Sequence, residues 1–283
     1  MQISLILTSE IIFYLFLNVR LIVLKAELVS NFKIIFFTSL NTHADRRYFG
    51  RSYLAYTLLM GALEFELWNT GSIGKLSGFY YRFQPRFEFE YGVTDRLSAS
   101  FYFNFEQVTA DNNSFSSSPF SFSSTSIELK YRLTDPGQVF VDPAIYFEGS
   151  YGGDELEYEG KVILSKRINN WIAALNVTSE IEREIIVSEQ ESTFEVTGGL
   201  AYEFSPNIAL GLEYRHHRIF EDIYGEEQAQ ATFIGPTINV QGNSFYFTFN
   251  FLKQITGSPQ SKNNLDLIDH ENYEFRTILG INL

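Results

Sequence analysis

Phe79-Tyr-Tyr-Arg-Phe-Gln-Pro-Arg-Phe-Glu-Phe-Glu-Tyr91 decides the fold. Its odd positions, Phe79, Tyr81, Phe83, Pro85, Phe87, Phe89 and Tyr91, are apolar or aromatic. Its even positions are Tyr80, Arg82, Gln84, Arg86, Glu88 and Glu90. Successive side chains of a β-strand point to opposite faces, so this segment carries one oily face and one charged face. Half-buried strands of soluble sandwiches alternate too, but mean strands run only about 5–6 residues. A tilted strand crossing a bilayer needs about 9–11 residues, and this run exceeds that.

The pattern recurs. Leu97, Ala99, Phe101, Phe103 and Phe105 alternate with Ser98, Ser100, Tyr102, Asn104 and Glu106, and Phe245, Phe247, Phe249 and Phe251 alternate with Tyr246, Thr248 and Asn250. Reading along the chain predicts strands at 61–70, 79–91, 96–107, 124–133, 138–151, 156–168, 171–183, 192–204, 208–220, 230–240, 244–255 and 271–283. Connections alternate in length. Tight turns fall at 92–95, 134–137, 169–170, 205–207 and 241–243, all rich in turn-forming residues. Longer loops fall at 108–123, 184–191, 221–229 and 256–270, and Gly152-Gly153 reads as an exposed turn. Short turns at one end, long loops at the other and an even strand number are the pattern of an outer-membrane barrel. The expected fold is therefore all-β, a closed antiparallel transmembrane barrel of 12 strands, with 10 or 14 left open. A soluble sandwich or propeller should show more surface charge.

Composition agrees. Among 283 residues, Phe 28, Tyr 17 and Trp 2 make an aromatic surplus, while only 19% are charged, below the roughly 25% of soluble domains. A net charge of −13 with no basic stripe excludes a nucleic-acid partner. The absence of Cys excludes disulfides, thiol chemistry and cysteine-ligated metals. No cofactor, metal or catalytic residue is expected.

The N-terminus divides the chain into a signal or targeting segment (1–44), a periplasmic N-terminal segment (45–60) and the barrel (61–283). Lys25 and Lys33, the apolar run Ile34 to Leu40, and Thr42-His43-Ala44 follow the order of a secretory signal peptide, so cleavage is expected after Ala44. An uncleaved anchor or an over-long start is the alternative.

The last segment, Tyr273 to Leu283, puts Tyr273, Phe275, Leu279, Ile281 and Leu283 on one face. It resembles the C-terminal signal that the barrel-assembly machinery recognises, although that signal usually ends in Phe. With the blocks Gly61 to Thr70 and Glu90 to Leu97, the chain is similar to uncharacterised, porin-like outer-membrane β-barrel proteins of Gram-negative-type bacteria. The resemblance implies an outer-membrane location, a barrel fold and lipid as surroundings, and little about substrate; small solutes enter as partners only with the channel reading of the lumen below.

If the aromatic face meets lipid, the other face lines the lumen. The candidates are Arg82, Arg86, Glu88, Glu90, Glu128, Arg132, Glu213, Arg215 and His217. Over all strands, sixteen acids face inward against nine bases. One reading is a narrow passive channel, mildly cation-preferring through its acidic rings. The other is that Arg and Glu pair and fill the space, leaving a non-conducting barrel that displays loops such as 108–123. A lipid-modifying enzyme would need a Ser beside His216 or His217, and no Gly-x-Ser-x-Gly elbow is present. Arg is expected to be costly at Phe87 or Phe249 and tolerated at Glu88 or Asn250.

Overall fold

The computed structural model describes residues 47–111, 116–186 and 189–283; the segment assigned to targeting lies outside them. Twelve strands follow in order: β1 (Leu63–Ile73), β2 (Tyr80–Thr94), β3 (Leu97–Ala110), β4 (Ser118–Arg132), β5 (Asp142–Gly152), β6 (Glu155–Ile168), β7 (Trp171–Glu184), β8 (Gln190–Ser205), β9 (Ile208–Glu221), β10 (Glu227–Gln241), β11 (Phe245–Ser258) and β12 (Tyr273–Asn282). Each pairs antiparallel with its sequence neighbours, and β1 closes on β12 from Glu64↔Asn282 to Ile73↔Tyr273. Closure satisfies the backbone within the wall and leaves no edge, the condition for strands to cross lipid.

Alternation fixes which side is which. Phe89, Phe101 and Phe247 are 41%, 39% and 37% exposed, whereas Glu88, Glu90, Tyr102 and Tyr246 are fully buried. In a water-soluble fold that order would be inverted; here the oily face is the outside. Exposed aromatics gather near both ends of the strands: Tyr91, Tyr131, Trp171 and Phe204 at the end with the tight turns, and Phe79, Phe122, Tyr151 and Tyr158 at the other. Such girdles mark the two interfaces of a barrel in a bilayer.

Four prolines lie within strands, Pro119 and Pro143 at the second position of β4 and β5 and Pro85 and Pro236 in mid-strand. Pro85 falls where the β2–β3 ladder skips from Phe83 to Arg86, and Pro236 where β10–β11 skips from Ile234 to Thr237. Each ring removes a donor that the ladder would otherwise require.

The structure moves two connections. The Ser-rich stretch predicted as the loop 108–123 is largely strand: β3 runs to Ala110 and β4 starts at Ser118, joined by pairs such as Glu106↔Ser121 and Val108↔Ser118. Backbone pairing outweighs composition there. The turn predicted at 134–137 extends over 133–141, because β5 starts only at Asp142. The tight turns share one end of the barrel, called the periplasmic end below, and the opposite end carries the 14-residue β11–β12 connection, 259–272.

Candidate functional site

The sequence placed 45–60 outside the barrel. Residues 47–58 instead run inside it. Tyr48, Phe49, Tyr53, Leu54, Ala55 and Leu58 are all buried, and inward-facing side chains of the wall take up the strap's backbone groups. Near the periplasmic end, Leu58 N–H donates to Ser98 Oγ (3.0 Å) and Ala55 N–H to Ser165 Oγ (3.0 Å). Deeper, Asn176 accepts from Tyr53 N–H (2.6 Å) and donates to Tyr53 O (3.0 Å). At the apex, one carboxylate receives three successive amides: Glu213 accepts from Gly50 (3.0 Å), Arg51 (2.7 Å) and Ser52 (2.6 Å). Charge-assisted hydrogen bonds of this kind are stronger than neutral ones.

The chain then turns back. Asn239 donates to Arg47 O (2.8 Å), and Tyr48 O–H donates to Glu203 at the end of β8 (3.1 Å). The strap is therefore a U with both arms toward the periplasmic end and its tip near Arg51, which reaches Glu274 at the start of β12 (Nε to Oε1, 2.7 Å). Gly199 makes room for it: a Cβ there would lie 2.5 Å from the Phe49 ring.

Of the predicted lumen residues, several serve this filling. Glu88 accepts from Tyr102 O–H (3.1 Å) and lies 3.7 Å from Arg47; Glu90 pairs with Lys130 (3.3 Å); Glu128 accepts from Tyr102 O–H. Arg47 also binds Glu66 (2.8 Å) and packs on the Tyr53 and Trp68 rings at 4.3 and 4.6 Å. Ligand oxygens of Glu64, Glu66 and Glu90 lie within 4.8 Å of one another, the spacing of a metal site, but Arg47 and Lys130 bring cations to that cluster. Arg215 bridges Glu195 (2.5 Å) and Glu274 (3.3 Å). Arg132 sits at the periplasmic rim, where it donates to Asp95 O (2.8 Å) and faces Asp135 (3.5 Å).

His217 belongs to a chain that the sequence did not reveal. Its Nδ1 meets His270 Nε2 (3.0 Å), and His270 Nδ1 meets Asp266 (2.7 Å). Asp266 and His270 come from the β11–β12 connection, which folds inward: Gln254 donates to Asp266 O and Glu271 O, and Lys75 to Ile268 O and Asp269 O. Burial raises the Asp266 carboxyl, but hydrogen bonds from His270 and from the Ile268 and Asp269 amides outweigh it and hold the group below its ordinary range. Among the described residues no Ser, Thr or Tyr hydroxyl bonds either His217 or His270. His216 faces away and bonds Thr232 (2.9 Å).

Above the strap a cavity of about 520 Å³ opens toward the long-loop end. Arg51, Tyr53 and Trp68 form its floor, and Arg82 and Arg86 line one wall. Arg86 bonds Asn104 (2.7 Å) and Glu148 (3.4 Å), and Arg82 lies 3.7 Å from Glu106. Eight carboxylates and five cationic side chains line this vestibule.

The family model described as "Family of unknown function (DUF6662)" matches residues 41–156 and 155–283. No curated protein matches the chain. Among solved structures, the COG4313 outer membrane channel from Pseudomonas putida F1 is similar over 81% of this chain and 98% of its own, with 13% identity and a TM-score of 0.59. The NanC porin is similar over 77% and 100%, with 11% identity and a TM-score of 0.52. The translocator domain of the autotransporter NalP from Neisseria meningitidis is similar over 78% and 88%, with 10% identity and a TM-score of 0.51. A channel, a porin and a translocator share this architecture, so the likeness fixes the fold alone.

Proposed function

The chain belongs to the family of unknown function DUF6662, and from its closed barrel and polar interior we propose that it is an outer-membrane channel for small solutes, mildly cation-preferring and closed at its periplasmic end by its own strap. The observation that carries the reading is the vestibule: a cavity of about 520 Å³, lined by more acids than bases, with Arg51 and Tyr53 of the strap in its floor. Rings of acidic side chains select cations by charge. The closing element is a short segment held by hydrogen bonds, and hydrogen bonds to a wall can be exchanged for hydrogen bonds to water. The C-terminal strand β12 is the segment by which the assembly machinery would recognise the chain.

Planar-bilayer recording tests it. Full-length protein should conduct in small or infrequent steps, with a reversal potential in a salt gradient displaced toward the cation. The buried pairs Arg47–Glu66 and Lys130–Glu90 favour a second reading, a non-conducting barrel that only displays its loops. Silence in both the natural chain and a variant with a loosened strap would establish that reading instead.

A further inference from the structure

The vestibule separates charge across its width. In the closed ring, β6 and β7 stand six strands from β12 and β1. The acidic wall is on β6 and β7, where Glu157 faces Glu182 and Glu159 faces Glu180 across the ladder. Like charges directly opposite one another destabilise a sheet. Lys161 meets Glu159 at 2.9 Å, but Glu157, Glu180 and Glu182 make no ion pair and no hydrogen bond among the described residues, and all three line the cavity. They hold neither the strap nor a neighbouring strand.

The opposite wall shows the complement. Arg276 on β12 donates to Thr70 Oγ1 (2.8 Å) and Gly50 O (3.0 Å), both neutral acceptors, and no carboxylate lies within ion-pair distance of it among the described residues. It lines the same cavity. One cavity thus presents three unmatched carboxylates on one side and one unmatched guanidinium on the other. Its volume falls within the roughly 300–1,000 Å³ of small-molecule sites.

We propose that the vestibule binds a basic amino acid or short basic peptide, with its ammonium groups against Glu157, Glu180 and Glu182 and its carboxylate against Arg276. A molecule with two amines and one carboxylate matches both walls at once. A simple diamine satisfies only the acidic wall, and an acidic amino acid is repelled there. The inference names the substrate class of the proposed channel and rests on that reading for the ligand's role. Binding is nonetheless measured on folded protein in detergent, so a barrel that binds without conducting removes the channel and not the site.

Calorimetric titration with L-lysine, cadaverine, L-glutamate and Mg²⁺ tests it. L-lysine should bind, cadaverine about tenfold more weakly, and L-glutamate not at all. The double variant Glu180→Gln, Glu182→Gln should weaken L-lysine about tenfold or more. Arg276→Gln should weaken L-lysine to the level of cadaverine while leaving cadaverine unchanged; if that variant fails to fold, the comparison of the two ligands on the natural chain still decides. Absence of L-lysine binding, equal binding of L-lysine and cadaverine, binding of L-glutamate, or displacement of L-lysine by Mg²⁺ at equal concentration would each overturn the proposal, the last in favour of a divalent-cation site.

Discussion

Glu213→Gln should release the strap while leaving the barrel folded. Oε1 accepts from the amides of Arg51 and Ser52, and Oε2 from the Gly50 amide and the Asn250 side chain (2.7 Å). Gln keeps one acceptor oxygen and puts an NH₂ where the other stood. Asn250 can turn its own amide to meet that NH₂, but at least one strap N–H loses its acceptor and the others lose the charge. A hydrogen bond to a charged group contributes about 1.5–3 kcal/mol and a neutral one about 0.5–1.5. With part of the burial cost of the carboxylate returned, the net loosening is about 2–4 kcal/mol, a factor of about 30–1,000 in the released fraction. The natural chain has no Cys, so Ala55→Cys, at a fully buried strap position, gives a single thiol to label. Its reaction with a water-soluble maleimide should accelerate by that factor when Glu213→Gln is added, with heat-modifiable gel migration unchanged. Equal labelling rates in an intact barrel would refute the claim that this carboxylate holds the strap.

Gly199→Val places methyl groups where the Phe49 ring lies and should expose the same thiol at Ala55→Cys by expelling the strap, again read by labelling. Neutralising Glu88, Glu90 and Glu213 together takes the Glu90 carboxylate from Lys130, leaves Arg47 with Glu66 as its remaining ion-pair partner and frees the apex; because weakening buried ion pairs is costly, the expected result is loss of heat-stable migration rather than a simple shift in ion selectivity. Phe249→Arg puts a charge on the lipid face, at a cost of about 2–4 kcal/mol near mid-bilayer, measured by urea unfolding in vesicles. Asn250→Arg, expected from alternation to be tolerated, should also fail, because Asn250 bonds Glu213 and its side chain lies 2.4 Å from where a Cβ on Gly50 would be. For the β11–β12 connection, the carboxyl of Asp266 sits below its ordinary range, so its contribution is complete above about pH 4 and is lost as pH falls through the lowered value. Protection factors over 259–272, that is exchange corrected for its intrinsic pH dependence, should be high at pH 7 and fall as the pH drops through the lowered value, and protection that does not change with pH would dissociate this group from the fold of the connection.

The wall was legible in the sequence because a single local rule writes it. Phe87, Phe89 and Tyr91 against Glu88 and Glu90 declare two faces within five residues, and all twelve strands follow from the same period. The alternation Phe120-Ser121-Phe122 carried that signal inside the stretch read as a loop, where serine content masked it. The strap had no such signature. Arg47 to Leu58 shows no period of two, and what holds it is dispersed over Ser98, Ser165, Asn176 and Glu213, each of which reads singly as an ordinary lumen residue. The link between His217 and Asp266 through His270 was hidden for the same reason: it joins β9 to a connection some fifty residues later, and only the inward fold of 259–272 brings the two together. Local chemistry predicts faces; contacts between distant polar residues emerge only when the ring closes.

The U shape of the strap has a mechanical consequence. A segment threaded through a ring from one mouth to the other can leave only if an end is pulled the full length of the passage. A bight pushed in from one mouth leaves by that mouth, with no free end required and no strand pair of the wall parted. Residues 47–58 are such a bight: Leu58 is anchored beside Ser98 and Tyr48 beside Glu203, both at the periplasmic end. In the channel proposed above, the strap would therefore leave and return by the periplasmic mouth while the β1–β12 seam stays zipped.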